Sequence, residues 1–104
     1  PDKWIVLKIS NGEDVMYKVL TQTYGGYASG DGWRLNSGVS SIEENRGEIM
    51  FHGYSGSIYY CKQSNYGTGG LSSSILESLK RRAQEQSVTI EVMDKSTDWL
   101  SLKI

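Results

Sequence analysis

One segment of this chain, residues 71–86, carries a helical repeat, while almost everything else is short β-type runs separated by turn signals. That imbalance is the strongest limit on the fold. Strands joined by short turns pair with their neighbours in antiparallel fashion, and a single helix covers one face of the result. Within 71–86, Leu71, Ile75, Leu76, Leu79 and Ala83 fall in one arc at about 100° per residue, with Ser73, Glu77, Lys80, Arg81 and Gln84 outside it. Arg82 falls inside the arc near its end, where the stem can lie along apolar surface with the guanidinium in water. Ser74 with Glu77 three residues on fits a capping box, and Ser72 or Ser73 fits the cap position equally well.

The strand-like runs follow from side-chain alternation. Residues 4–10 read as a strand with Ile5, Leu7 and Ile9 on one face and Trp4, Val6 and Lys8 on the other. Asn11-Gly12 suits a tight turn and leads into a second strand over 15–21, which makes a hairpin. Residues 33–36 and 39–42 read as one strand broken at Gly38, and Asn45-Arg46-Gly47 turns the chain into a strand over 48–52. The next turn, Gly53 to Gly56, leads to a strand over 57–62. Pairing His52 with Ser57 sets Ile49 and Phe51 with Ile58 and Tyr60 on a core face, and Met50 and His52 with Tyr59 and Cys61 opposite. That second face is more apolar than a merely solvated one. After the helix, 88–93 alternates with Val88, Ile90 and Val92 inward, and 99–104 closes the chain as a strand with Leu100, Leu102 and Ile104 inward. The expected fold is one α+β domain over 1–104: a twisted, mainly antiparallel sheet of six or seven strands, with the 71–86 helix packed on one face.

Composition narrows the function classes. At 104 residues with 38% apolar and 22% charged residues, the chain supports one modest core and is too apolar for disorder. A formal charge of −1 gives no general pull toward nucleic acid or anionic membrane. Cys61 is the single cysteine, so no internal disulfide forms and a reducing, cytoplasmic setting is expected. No apolar run approaches the ~20 residues needed to span a bilayer, and no leader-like segment opens the sequence.

Catalytic patterns are thin. His52 is the only histidine, and the pairing above places Cys61 on its face but four rungs away, roughly 13 Å at ~3.3 Å per residue, which disfavours a Cys–His dyad. One His and one Cys without ligand spacing give no metal cluster. Glu43 and Glu44 point to opposite faces of a strand, so paired-carboxylate chemistry is not indicated. The expectation is a protein that is not an enzyme and carries no cofactor or metal. Lys80-Arg81-Arg82 is a short basic run diluted by Glu77 and Glu85, with Glu77 and Arg81 spaced for an i,i+4 pair, which disfavours nucleic acid as a partner.

Recognition chemistry is better represented. Seven tyrosines and three tryptophans accompany one phenylalanine, a bias toward rings with a polar handle. Tyr60 and Tyr17 read as core. Tyr24, Tyr27, Tyr54 and Tyr66 fall in Gly/Ser-rich loops, a mixture that pairs rigid contact area with adaptable backbone. A protein partner held by Tyr24, Tyr27, Asp31, Trp33, Tyr54 and Tyr66 is the leading expectation, in an inhibitor, immunity-type or adaptor role. The alternative is a small anionic ligand or nucleotide held by Gly67, Thr68, Gly69, Gly70, Ser72 and Ser73, where a glycine-rich segment runs into a helix N-terminus. That segment lacks the G-K-S/T of a P-loop and the G-x-G-x-x-G of a dinucleotide site.

Overall fold

The computed structural model describes residues 3–26, 30–68 and 70–102, and for residues 24–26, 30, 31 and 70–72 the backbone alone. Among these residues there are seven strands and one α-helix: β1 Lys3–Ser10, β2 Val15–Gly26, β3 Gly30–Leu35, β4 Val39–Asn45, β5 Glu48–Gly53, β6 Ile58–Lys62, α1 Gly70–Glu85 and β7 Thr89–Val92, with 3₁₀ turns at Gln63–Asn65 and Trp99–Ser101. The class is α+β, and every pairing between strands is antiparallel. The strands form two sheets rather than the one expected, a four-stranded sheet in the order β3-β2-β1-β7 and a three-stranded sheet β4-β5-β6.

The two sheets and the helix stack as three layers. Trp4 and Val6 of β1, with Val19 of β2, pack against Val39, Ile49, Phe51 and Cys61 of the three-stranded sheet. Ile5, Leu7 and Leu20 project from the other side onto Ile75, Leu76 and Leu79 of α1. The four-stranded sheet is therefore the middle layer, which explains why Trp4, Ile5, Val6 and Leu7 are all buried in succession. A strand covered on both faces has no polar side to alternate with.

Asn36 carries the chain from one sheet to the other. Its backbone N–H donates to the Val19 carbonyl at 3.1 Å, and its side-chain Oδ1 accepts the Val19 N–H at 2.9 Å. The side-chain oxygen so stands in for Asn36's own carbonyl, and the chain is free to leave the ladder. The expected single strand broken at Gly38 is corrected: its halves are β3 and β4, in different sheets. The helix starts at Gly70, so Ser72, Ser73 and Ser74 lie inside its first turns, and the expected cap at Ser74 is corrected.

Two further expectations are overturned. The expected strand over 99–104 is not formed in its described part, 99–102: Trp99–Ser101 is a 3₁₀ turn with Trp99 4% exposed in the core and Leu100 54% exposed. Aromatic burial won over alternation, because one indole fills more of the core than the aliphatics beside it. Leu102 is partly buried against the same cluster, and Ile104 lies outside the described residues. The β5–β6 pairing is shifted by one from the expected register, with His52 opposite Ile58, Phe51 opposite Tyr59 and Ile49 opposite Cys61. Gly53 N–H bonds to the Ser57 carbonyl at 2.8 Å, leaving a three-residue loop that ends in Gly56 at φ 93°. That left-handed position suits glycine and makes the shorter loop possible. One residue of slip exchanges the faces, so Cys61 is buried and Tyr60, expected in the core, is 51% exposed.

Tyr66 closes the seam between β1 and β7. The Met93 N–H donates to the Val6 carbonyl at 2.9 Å, where the ladder would continue beyond the Leu7–Val92 pair. The Val6 N–H instead donates to the Tyr66 hydroxyl at 3.3 Å, and that hydroxyl donates to the Met93 carbonyl. Burial is the main cause holding the Tyr66 phenol above its ordinary pKa, opposed by the Val6 N–H and reinforced by Asp94. Replacing Tyr66 by Phe leaves a buried N–H and a carbonyl without this partner, an expected loss of about 1–3 kcal/mol. A lower urea midpoint at unchanged slope would report it; an unmoved midpoint would show that the hydroxyl is dispensable.

Burial also pushes the Cys61 thiol from 9.0 up to about 12. The folded protein then keeps a proton that the unfolded chain releases. The associated stability is complete below pH about 9 and declines as pH rises toward 12, by up to about 1.4 kcal/mol per pH unit. Unfolding titrations from pH 8 to 11 should show a steeper alkaline decline in the wild type than in Cys61→Ala, and equal slopes would refute the assignment.

Candidate functional site

The outer face of the three-stranded sheet carries no layer among the described residues. The register sets three rows across it, Ser41–His52–Ile58, Glu43–Met50–Tyr60 and Asn45–Glu48–Lys62. Ile58 is 41% and Tyr60 51% exposed, while Met50 and His52 are half-buried between the flanking strands. His52 lies diagonally across from Glu43, close enough for long side chains to meet, and its Nε2 stands 2.7 Å from Glu43 Oε2. The Ser40 hydroxyl donates to the His52 carbonyl at 3.0 Å, at the irregularity where Val39 and Ser41 pair with successive residues of β5.

Tyr54, at the β5–β6 turn that adjoins this face, is 64% exposed. Its N–H donates to the Gly38 carbonyl at 3.0 Å, and the Ser55 N–H donates to Ser37 Oγ at 3.0 Å, so the turn is docked on the β3–β4 crossover. Gly38 has φ 132°, and a Cβ there would stand 2.9 Å from Tyr54 Cδ2 and 3.2 Å from Met16 Sδ. The Tyr54 ring thus rests on bare backbone beside the half-exposed Met16. Its orientation is set before anything binds, which limits the entropy lost on contact.

His52 has a carboxylate partner, but Cys61 is buried on the opposite face with its proton retained. Glu43 and Glu44 face opposite sides, Glu44 being paired with Ile49. Among the described residues no three His, Cys, Asp or Glu side chains converge to hold a metal ion, and no helix is long and apolar enough to cross a membrane. An open hollow lined in part by Arg46, Glu48 and Lys62 at the far end of the same sheet mixes both signs of charge and selects neither.

The residues singled out from the sequence are not brought together. Tyr54 sits beside the start of β2, at Met16. Trp33, 43% exposed, pairs with Gln22, six residues farther along β2 and roughly 20 Å away at ~3.3 Å per residue. Tyr24 and Asp31 belong to the same far end of β2 and β3, and Tyr27 lies outside the described residues. Tyr66 is turned inward, its ring edge-on to Trp4 at 4.7 Å. Of the second set, the Gly67 N–H donates to the Trp4 carbonyl at 2.9 Å, Thr68 is exposed, Gly69 lies outside the described residues, and Gly70, Ser72 and Ser73 open α1. Sequence reasoning missed Ile58, Tyr60 and the His52–Glu43 pair as members of one surface. The apolar excess on one face of the strand over 48–52 was the available signal, and a one-residue loop difference hid its partners.

Gly38→Ala should disturb this surface specifically. A methyl group forced against the Tyr54 ring at an unfavourable φ is expected to lower stability by about 1 kcal/mol or more and to shift the Tyr54 ring resonances in NMR spectra. Unchanged Tyr54 shifts would mean that the ring does not rest there. No family model, curated protein or solved structure matches this chain, so the geometry alone carries the functional reading.

Proposed function

We propose that this protein is a non-enzymatic binding module that recognises a protein partner through the outer face of the three-stranded sheet and the Tyr54 turn, in an inhibitory, immunity-type or adaptor role. The observation that supports this reading is the exposure of Ile58 and Tyr60 on one uncovered sheet face, beside half-buried Met50 and the His52–Glu43 pair, with Tyr54 exposed at the adjoining turn. Aromatic and aliphatic side chains held on a rigid sheet, with polar groups beside them, are what interface centres are made from. A sheet also holds its side chains at fixed spacing, so a partner meets a preformed surface.

The test compares partner capture by the wild type with capture by Tyr54→Ala, Tyr60→Ala and the double variant. Each single change is expected to weaken binding by about 1–2 kcal/mol, with melting temperature little altered because both rings are largely exposed. A partner retained equally by all three variants would remove this face from consideration.

A further inference from the structure

We infer that the protein partner meets this face with an arginine, its guanidinium laid over Met50 between the Glu43 carboxylate and the Tyr60 ring. The inference rests on the recognition reading above and names the partner chemistry that reading leaves open.

The row Glu43–Met50–Tyr60 sets a carboxylate, a thioether and a phenol side by side on three neighbouring strands. The Glu43 side chain is 61% exposed, and no lysine or arginine among the described residues stands within ion-pair distance of it. His52 Nε2 takes one carboxylate oxygen, Oε2, at 2.7 Å, and among the described residues nothing takes Oε1. Any protein that covers Met50, Ile58 and Tyr60 must cover Glu43 as well. Taking a carboxylate out of water is costly unless a cation or several donors replace the solvent. His52 replaces water at one oxygen only, so the rest falls to the partner. A partner that brings aliphatic or acidic side chains to this row is penalised, and one that brings a cation is selected.

Spacing favours arginine over lysine. Adjacent strands lie about 4.8 Å apart, so Glu43 and Tyr60 stand about 10 Å from each other across Met50. A guanidinium bonded to a carboxylate at about 2.8 Å and resting on a ring within about 6 Å of its centre spans that gap. A lysine ammonium is a point charge that makes the ion pair without the stacking. Half-buried Met50 supplies a soft, polarisable floor between the two. His52 fixes the direction of the carboxylate before contact, so less freedom is lost when the cation arrives. At the far end of the face, Glu48 already has Lys62 opposite it and Arg46 in the adjoining turn. A second cation is repelled there, which directs the arginine to the Glu43 row.

Two capped peptides test this on the purified chain: acetyl-Leu-Arg-Leu-amide and its citrulline counterpart, which keeps the shape and loses the charge. Each is titrated into isotope-labelled protein and followed by NMR. The arginine peptide should move the Glu43, Met50 and Tyr60 resonances together and saturably, at the about millimolar affinity of so small a ligand. The citrulline peptide should bind about tenfold more weakly, and Glu43→Gln should bring the arginine peptide down to the citrulline level. Tyr60→Leu, which keeps apolar cover without the ring, should weaken the arginine peptide several-fold. Both side chains are largely exposed, so unchanged spectra elsewhere will show that the variants fold. Equal affinity of the two peptides, or an arginine peptide indifferent to Glu43→Gln, would overturn the inference, while shifts at Ile58 and Tyr60 would keep the recognition reading in place. No saturable shift in this row with either peptide would overturn it too. The recognition reading itself falls only if Tyr54→Ala, Tyr60→Ala and the double variant leave partner capture intact.

Discussion

The indole of Trp4 ties this structure together. It lies within 5.5 Å, ring centre to ring centre, of Phe51, Tyr66 and Trp99, and its Nε1 donates across the sheet interface to the Lys62 carbonyl. Four parts of the chain thereby meet on one side chain: β1, β5, the segment after β6, and the C-terminal turn. Apolar area draws the two sheets together, but area has no direction. The Trp4 hydrogen bond and the tilted ring contacts supply direction, fixing how far one sheet slides on the other.

Tyr66 extends the same logic to the edge of the core. Its ring is one wall of the Trp4 cage, and its hydroxyl completes the β1–β7 seam. A loop tyrosine read from sequence as a contact for a partner is thus engaged within the fold, where its polar handle does what a backbone group would otherwise do. The aromatic residues divide accordingly. Trp4, Tyr66 and Trp99 hold the layers, while Tyr54 and Tyr60 face outward from a sheet that those layers keep rigid.

What was legible in the sequence follows from how local each determinant is. The β1–β2 hairpin, the single helix and the inward side of β7 rest on alternation, helical periodicity and a turn pair, all encoded within a few residues. The division into two sheets rests on Asn36 answering Val19 and on apolar residues covering both faces of β1; only the second of these can be seen in the sequence, as Trp4 and Val6 opposite Ile5 and Leu7. Which side of β6 faces water depends on whether three or four residues close a turn, a choice made by Gly56 and by the docking of Tyr54 and Ser55 on the crossover. The candidate surface was therefore half readable: its β5 residues were paired in expectation with the wrong half of β6. Trp99 was misread for a different reason, since its place depends on a cage built from distant residues.

The order of the strands also bears on how the chain comes into being. The three-stranded sheet is drawn from one unbroken stretch, Val39–Lys62, whereas the middle sheet needs Leu7 to find Val92 across most of the chain. During synthesis the N-terminal parts emerge first, and pairings between distant residues form late. The surface proposed for recognition can hence be assembled, with Trp4 and Val6 already available behind it, while the helix side of the middle sheet is still bare. A nascent chain stalled short of β7 would present the face proposed for recognition before Trp99 has closed the core behind it.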